Sequence, residues 1–286
     1  MKIFVTGKKS FLSKKFKEHA KHIFDIYNMP RVIKKKEIND FYLKKKIILK
    51  YLKDRKPTHL IHFAGCRKNE SETNKIFAKK SIFTITKNLV QSINKYNKNI
   101  LFIYISTDHV FSGRSKFYKE NNIKYLKPST NLGFYKIKSE FFIKNNCKKW
   151  IIIRPSVVMD DPRQLSFVHK CVKKKHKINL YSNIFFTPIS SKDLSRTLMK
   201  ILSKNIFNKI IHCSGSKRVS RYHFYSDVFG KSNNFLPVKI NNKSHPPDLS
   251  MSSTLSQSLL NINFLKYKSL IKDIKILIQK NSKNKI

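Results

Sequence analysis

The sequence predicts an α/β protein: a parallel, doubly wound sheet covered by helices on both faces, followed by a smaller mixed C-terminal substrate region. Two observations carry this. Short, unbroken apolar runs recur through the first half of the chain, and the segments between them place apolar residues at a helical period. A strand covered on both faces loses its polar alternation, so continuous apolar runs separated by helices imply parallel strands joined by crossovers.

Taken in order, "KIFVTG" (2–7), "HIFDIY" (22–27), "HLIHFAG" (59–65), "ILFIYIS" (100–106) and "WIIIRP" (150–155) read as strands. Helix-period apolar positions occupy Phe11 to Ala20, Leu43 to Leu52 and Ser81 to Tyr96. The second half is less regular. "SSKDLSRTLMKILSK" reads as a helix started by Ser190 or Ser191, with Leu194, Leu198, Ile201 and Leu202 turned inward. Ser220 is placed to cap another helix. The last one gathers Leu270, Ile271, Ile274, Leu277 and Ile278 on one face, and the tail after it is expected to fray. The expected division is a nucleotide-binding region over 1–155 and a substrate region over 156–286, interleaved with the first.

Composition narrows the function. The chain has 286 residues, with 61 Lys+Arg against 16 Asp+Glu, a formal charge of +45. Such a surplus attracts polyanions. Here the lysines are spread along the whole chain in short runs, such as Lys34-Lys35-Lys36 and Lys173-Lys174-Lys175, with no basic block. Abundant Lys, Ile and Asn beside only 6 Gly fit an A+T-biased coding sequence better than a nucleic-acid surface. Cys66, Cys147, Cys171 and Cys213 form no CxxC pair, which points to a reducing compartment and no metal site. A strand pattern from residue 2 and apolar runs too short for a membrane span set the expectation of a cytoplasmic protein.

Ligands of an open parallel sheet sit beyond the carboxyl ends of its strands. "TGKKSFLS" (Thr6 to Ser13) lies there, opening a helix. A dinucleotide turn wants glycines at this point, so that backbone amides can approach a pyrophosphate at the helix N-terminus. Gly7 fills the first place, whereas Ser10 and Ser13 fill the second and third. On local sequence an ordinary strand–helix turn is as good a reading. Ala64 and Gly65 end the third strand with little side chain, while His59 and His62 within it read as core histidines. Ser106, Thr107, Asp108 and His109 crowd polar groups onto the end of the fourth strand.

These strings together resemble the extended short-chain dehydrogenase/reductase superfamily, and within it the dTDP-4-dehydrorhamnose reductase group. The family's TGxxGxLG, STDYVFDG, PxNxYGxxKxxxE, LRxSxV, TPxxxxDLA and RPxDxxL strings stand here as "TGKKSFLS", "STDHVFSG", "PSTNLGFYKIKSE", "IIRPSVV", "TPISSKDLS" and "PPDLSMS", in the same order. The resemblance implies a Rossmann domain binding NADPH or NADH, a sugar-nucleotide substrate, reduction of a 4-keto sugar, and a homodimer as one assembly state. It assigns cofactor contacts to Thr6, Gly7, Ser10, Phe11, Leu12, Ala64, Gly65 and Lys136. Glu37 falls near the adenine, with Asn28 or Arg31 near the ribose. Family members use a Ser/Thr on the carbonyl, a Tyr as acid and a Lys one helical turn later, which lowers the Tyr pKa.

Residue by residue, Thr107 takes the Ser/Thr place and Lys136 the Lys place, but the Tyr place falls on Leu132. Tyr135 precedes Lys136 by one residue, about 100° around the helix. His109 is the nearest substitute, with a structural role weighed ahead of a catalytic one; Tyr135 and Tyr118 follow. The chain therefore reads either as a reductase impaired by Leu132 or as a non-catalytic binding or regulatory protein of the same fold.

Overall fold

The computed structural model describes residues 1–29, 44–242 and 244–283, so Glu37 and Arg31 lie outside the described residues. The chain runs through β1 (Lys2–Thr6), α1 (Phe11–Ala20), β2 (Asp25–Asn28), α2 (Lys45–Arg55), β3 (His59–His62), α3 (Lys68–Thr73) and α4 (Lys75–Ala78). A π-helical turn (Lys79–Thr84) then leads into α5 (Ile85–Tyr96), followed by β4 (Leu101–Ile105), α6 (Asn131–Asn146) and β5 (Trp150–Pro155). Beyond these come α7 (Pro162–Lys173), β6 (Ile178–Tyr181), β7 (Phe185–Phe186), α8 (Ser191–Ser203) and β8 (Lys209–Cys213). The chain ends with β9 (Val219–Ser220), α9 (Arg221–Phe229), β10 (Phe235–Val238), α10 (Thr254–Leu260) and α11 (Tyr267–Lys283).

Six described strands form one parallel sheet in the order β2-β1-β3-β4-β5-β8. The apolar runs supply both faces, as their lack of alternation requires. Ile3, Val5, Ile61, Ile103, Ile151 and Ile153 meet α1 and α8 on one side. Phe4, Leu60, Phe102 and Ile152 meet α2 and α5 on the other. The order reverses between β1 and β3, which opens a crevice at their carboxyl ends. The sheet takes β8 from the second half of the chain, next to β5, while β6–β10 and β7–β9 make two small pairs over a separate apolar cluster with α7, α9 and α11.

Some local expectations shift. The second strand starts at Asp25 rather than at residue 22, because the amides of Ile23 and Phe24 both turn back onto the Ala20 carbonyl to close α1. Ser190, not Ser191, caps α8 and receives the Asp193 amide, and Ser220 caps α9 by receiving that of His223. The short helices α3 and α4 have too few apolar residues to show a period. Among the described residues no helix is long and apolar enough to cross a membrane, and no group of His, Cys, Asp and Glu could hold a metal.

Candidate active site

The turn after β1 is built around Gly7, whose φ of +77° is left-handed; a Cβ there would stand 2.9 Å from the Ala64 amide nitrogen. Only glycine meets both conditions. Ser10, at the second-glycine place, has φ −65° and carries no backbone strain. Its hydroxyl makes no cap hydrogen bond, so the first amides of α1, including those of Phe11 and Leu12, stay free for an anion at the helix N-terminus. Ser13 is fully buried with its Oγ unpaired, a small polar cost where a glycine would have none.

Thr6 and His62 tie β1 to β3. The Ala64 amide donates to Thr6 Oγ1 at 3.2 Å, and Thr6 Oγ1 lies 2.6 Å from His62 Nδ1. Thr86 gives its hydrogen to the Ile82 carbonyl at 2.6 Å, so the His62 Nε2–H donates to Thr86 at 3.1 Å and Nδ1 accepts from Thr6. Burial, then the Lys136 charge, keeps this imidazole neutral, well below its usual pKa. It is a satisfied core histidine. His59, half-buried, rests on Thr58 at 2.8 Å.

Helix α6 carries the lysine. Thr130 caps it by receiving the Gly133 amide at 3.1 Å. A Cβ on Gly133 would fall 2.0 Å from the His109 carbonyl oxygen, so the first turn of α6 lies directly on the loop after β4. Gly133→Ala is expected to push these two apart and cost about 1–3 kcal/mol, read as a lowered thermal midpoint. Leu132, Lys136, Glu140 and Ile143 form the buried stripe of the helix. The Lys136 amine donates to the Ile105 carbonyl at 2.6 Å, stands 4.7 Å over the Tyr104 ring, and is the nearest atom, at 3.7 Å, to a Cβ placed on Gly65. Burial lowers its pKa to about 8 against the raising effect of Cys66 and Glu140.

Leu132 packs with Ala78, Ile82 and Tyr135. Among the described residues, neither Tyr135 nor Tyr118 takes its place. Tyr135 belongs to that same apolar cluster, and Tyr118 is stacked on Phe111 at 4.2 Å with its hydroxyl receiving the Ser115 amide. Tyr104 lies against Lys136 by its ring, with its hydroxyl in the core toward Ser139 and Thr86, where burial holds its pKa well above the phenol range.

Thr107 starts the turn after β4. Its hydroxyl donates to Asp108 Oδ1 at 3.0 Å and receives the His109 amide at 3.3 Å. The His109 ring is held near 3 by burial, then by the charges of Lys68, Arg221 and His245. It is neutral near pH 7 and can orient a carbonyl through an N–H, but holds no acidic proton for it.

Thr107, Asp108 and His109 line a cleft of about 900 Å³. Ser10 and Leu12 stand on the same walls, as do Tyr181, Arg221 and Tyr225 from the second half. The cleft thus runs from the dinucleotide turn to the C-terminal region. Gly7, Ala64, Gly65 and Lys136 are not on its walls, and Asn28 receives the Lys17 amine at 3.0 Å on β2. Lys68 and Arg221 reach the cleft without forming an ion pair among the described residues; beyond burial, Arg221 disfavours the charge of Lys68, and both disfavour that of His245. A dianion would relieve that repulsion.

Sequence reasoning missed the network behind the site. Ser106 Oγ donates to Glu140 Oε1 at 2.5 Å, and Arg154 binds both Glu140 oxygens, with Nη2 at 2.6 Å from Oε2. Arg154 and Glu140 are each 1% exposed. The signal was available: a lone arginine in "WIIIRP", a string otherwise buried, demands a carboxylate.

The chain matches the model of the RmlD substrate binding domain over residues 1–281. Among solved structures, a dTDP-4-dehydrorhamnose reductase of Clostridium acetobutylicum superposes with a TM-score of 0.84 at 20% identity, covering 98% of this chain and 100% of that one. The dTDP-4-dehydrorhamnose reductase of Bacillus anthracis, solved with NADP, gives 0.82 at 18% over 96% and 98%. The Bordetella bronchiseptica enzyme WbmG, solved with NAD and UDP, gives 0.84 at 14% over 98% and 95%. No curated protein matches the chain.

Proposed function

The chain belongs to the RmlD substrate binding domain family, and on that footing we propose that it is an NAD(P)H-dependent reductase of a nucleotide-linked 4-keto sugar, slowed by Leu132. The observation that supports this most is a single cleft whose walls carry both Ser10 and Leu12 at the start of α1 and the cations Lys68 and Arg221, which form no ion pair among the described residues. The turn fits a dinucleotide: Gly7 makes the left-handed turn against the Ala64 backbone, Ser10 adds no strain, and its side chain makes no cap hydrogen bond to the first amides of α1.

When bound, a reduced nicotinamide supplies the hydride. The chain's own residues then bind and orient. Thr107 offers a hydroxyl to the sugar carbonyl, neutral His109 adds an N–H beside it, and Lys136 fixes the strand end through Ile105. Lys68, Arg221 and His245 suit the diphosphate of a sugar nucleotide.

One observation favours a second reading, a binding protein without turnover: the slot one turn before Lys136 holds a side chain with no proton to give. Calorimetry with NADPH and NADH, followed by an assay of 4-keto nucleotide sugar reduction, separates the two. Slow turnover with cofactor binding is expected. Binding of both ligands without turnover selects the second reading, and no heat with either cofactor at millimolar concentration removes the first.

A further inference from the structure

We infer that Asp108 is the proton source that stands in for the absent phenol, acting through the Thr107 hydroxyl. The inference rests on the reductase reading and deepens it at the same site.

Asp108 is 2% exposed yet lies on the cleft wall, with Oδ1 3.0 Å from Thr107 Oγ1 and Oδ2 3.4 Å from Ser156 Oγ. The other carboxyls of the cleft are committed. Asp161 is clasped by Arg163, and Glu70 receives the Arg67 amide at 2.8 Å to cap α3. The charges facing Asp108 are Arg221 on α9 and Lys68 at the start of α3, while His109 on its own loop is neutral. Arg221 and the hydrogen bonds from Thr107, the His109 amide and Ser156 favour the carboxylate. Burial outweighs them and raises the carboxyl pKa to about 6. A large fraction of Asp108 therefore carries a proton at mildly acidic pH.

That proton decides what Thr107 can do. Beside a carboxylate, the threonine hydrogen is committed to Oδ1, and the oxygen shows the cleft only lone pairs. Beside a carboxylic acid the bond reverses: Asp108 donates to Thr107 Oγ1, and the threonine hydrogen is free to point at a carbonyl. The balance closes over three groups. The carbonyl carbon receives a hydride from a dihydronicotinamide, and the oxygen, keeping the former π pair, takes the Thr107 proton. Thr107 Oγ1 takes the proton of Asp108, which is left as a carboxylate near Arg221 and Lys68 and is reprotonated from water after release.

The test is the pH dependence of kcat/KM for NADPH-dependent reduction of a 4-keto nucleotide sugar over about pH 5 to about 8. The rate should fall about tenfold per pH unit above the Asp108 midpoint. D108N and T107V should each lose about 10²–10⁴ in rate and lose this limb, while T107S restores both. A D108N enzyme that keeps the wild-type rate or the wild-type limb overturns the inference, as does wild-type protein that binds both ligands yet is inactive at the acidic end. An equilibrium measurement needs no turnover. The infrared carbonyl band of a protonated acid should disappear with a midpoint near 6 in the free wild type and be missing from D108N. Its absence from the wild type at all these pH values also overturns the inference. Failure of NADPH binding is scored separately by calorimetry and counts against the reductase reading, with the infrared band still deciding the state of Asp108.

Discussion

Leu132→Tyr is expected to raise kcat by about 10²–10⁴, the usual worth of a positioned general acid. Position 132 lies one turn before Lys136 on the buried stripe of α6, so a phenol there falls within reach of the amine, whose charge stabilises the phenolate. The neighbours Ala78, Ile82 and Tyr135 must accommodate a larger ring, at a cost of about 1–3 kcal/mol. A direct donor also bypasses Thr107 and Asp108, so the fall in rate above the Asp108 midpoint should disappear in this variant. Leu132→Phe separates ring from hydroxyl and should give none of the gain. Steady-state rates with NADPH affinity measured alongside decide it. A Leu132→Tyr enzyme that binds cofactor normally and turns over no faster would mean that position 132 is not the acid slot.

What was legible in the sequence followed from short-range pattern. Unbroken apolar runs announced the sheet, since nothing else covers both faces of a strand. The polar string after the fourth strand put Thr107 on the wall of the cleft, and the alternation around His62 marked a core residue that the Thr6–Thr86 clamp accounts for. Less was legible where function depends on residues far apart in the chain. Lys68 opens a polar helix and Arg221 begins another 153 positions later, and no spacing rule joins them at one cleft. The direction of the Thr107–Asp108 bond depends on burial, which a sequence does not print.

The charge, too, makes more sense in three dimensions. Among the fourteen carboxylic residues that the structure describes, six are buried: Asp108, Glu120, Glu140, Asp161, Asp193 and Asp248. Each has a partner that needs it, such as Arg154 for Glu140, Arg218 for Asp248, and the Ser256 hydroxyl for Glu120. Removing Glu140 would strand the buried Arg154, whereas charge-changing substitutions on the solvent face are nearly free. That pattern fits a coding bias acting on a folded protein more closely than a surface built for nucleic acid.

The same logic gives the largest expected loss of stability. Glu140→Ala should destabilise the fold by about 3–5 kcal/mol, because it leaves the Arg154 guanidinium buried and unpaired. Arg154 already has one terminal nitrogen, Nη1, without a partner, lies 5.2 Å from the Phe111 ring centre, and makes no second ion pair among the described residues. Ser106 loses its acceptor in the same step. The pair itself need not be strongly stabilising. Replacing both partners with apolar residues of similar volume, as in Glu140→Leu with Arg154→Met, should recover most of the loss, since the cost lies in the stranded charge and not in the missing attraction. Denaturant unfolding of the two single variants and the double variant measures this coupling. The double variant should be more stable than either single one; if its losses simply add, Arg154 is being relieved by a group other than Glu140. Recovered stability should not bring back full activity, because Ser106 and Glu140 brace the strand end that presents Thr107 and the helix that presents Lys136.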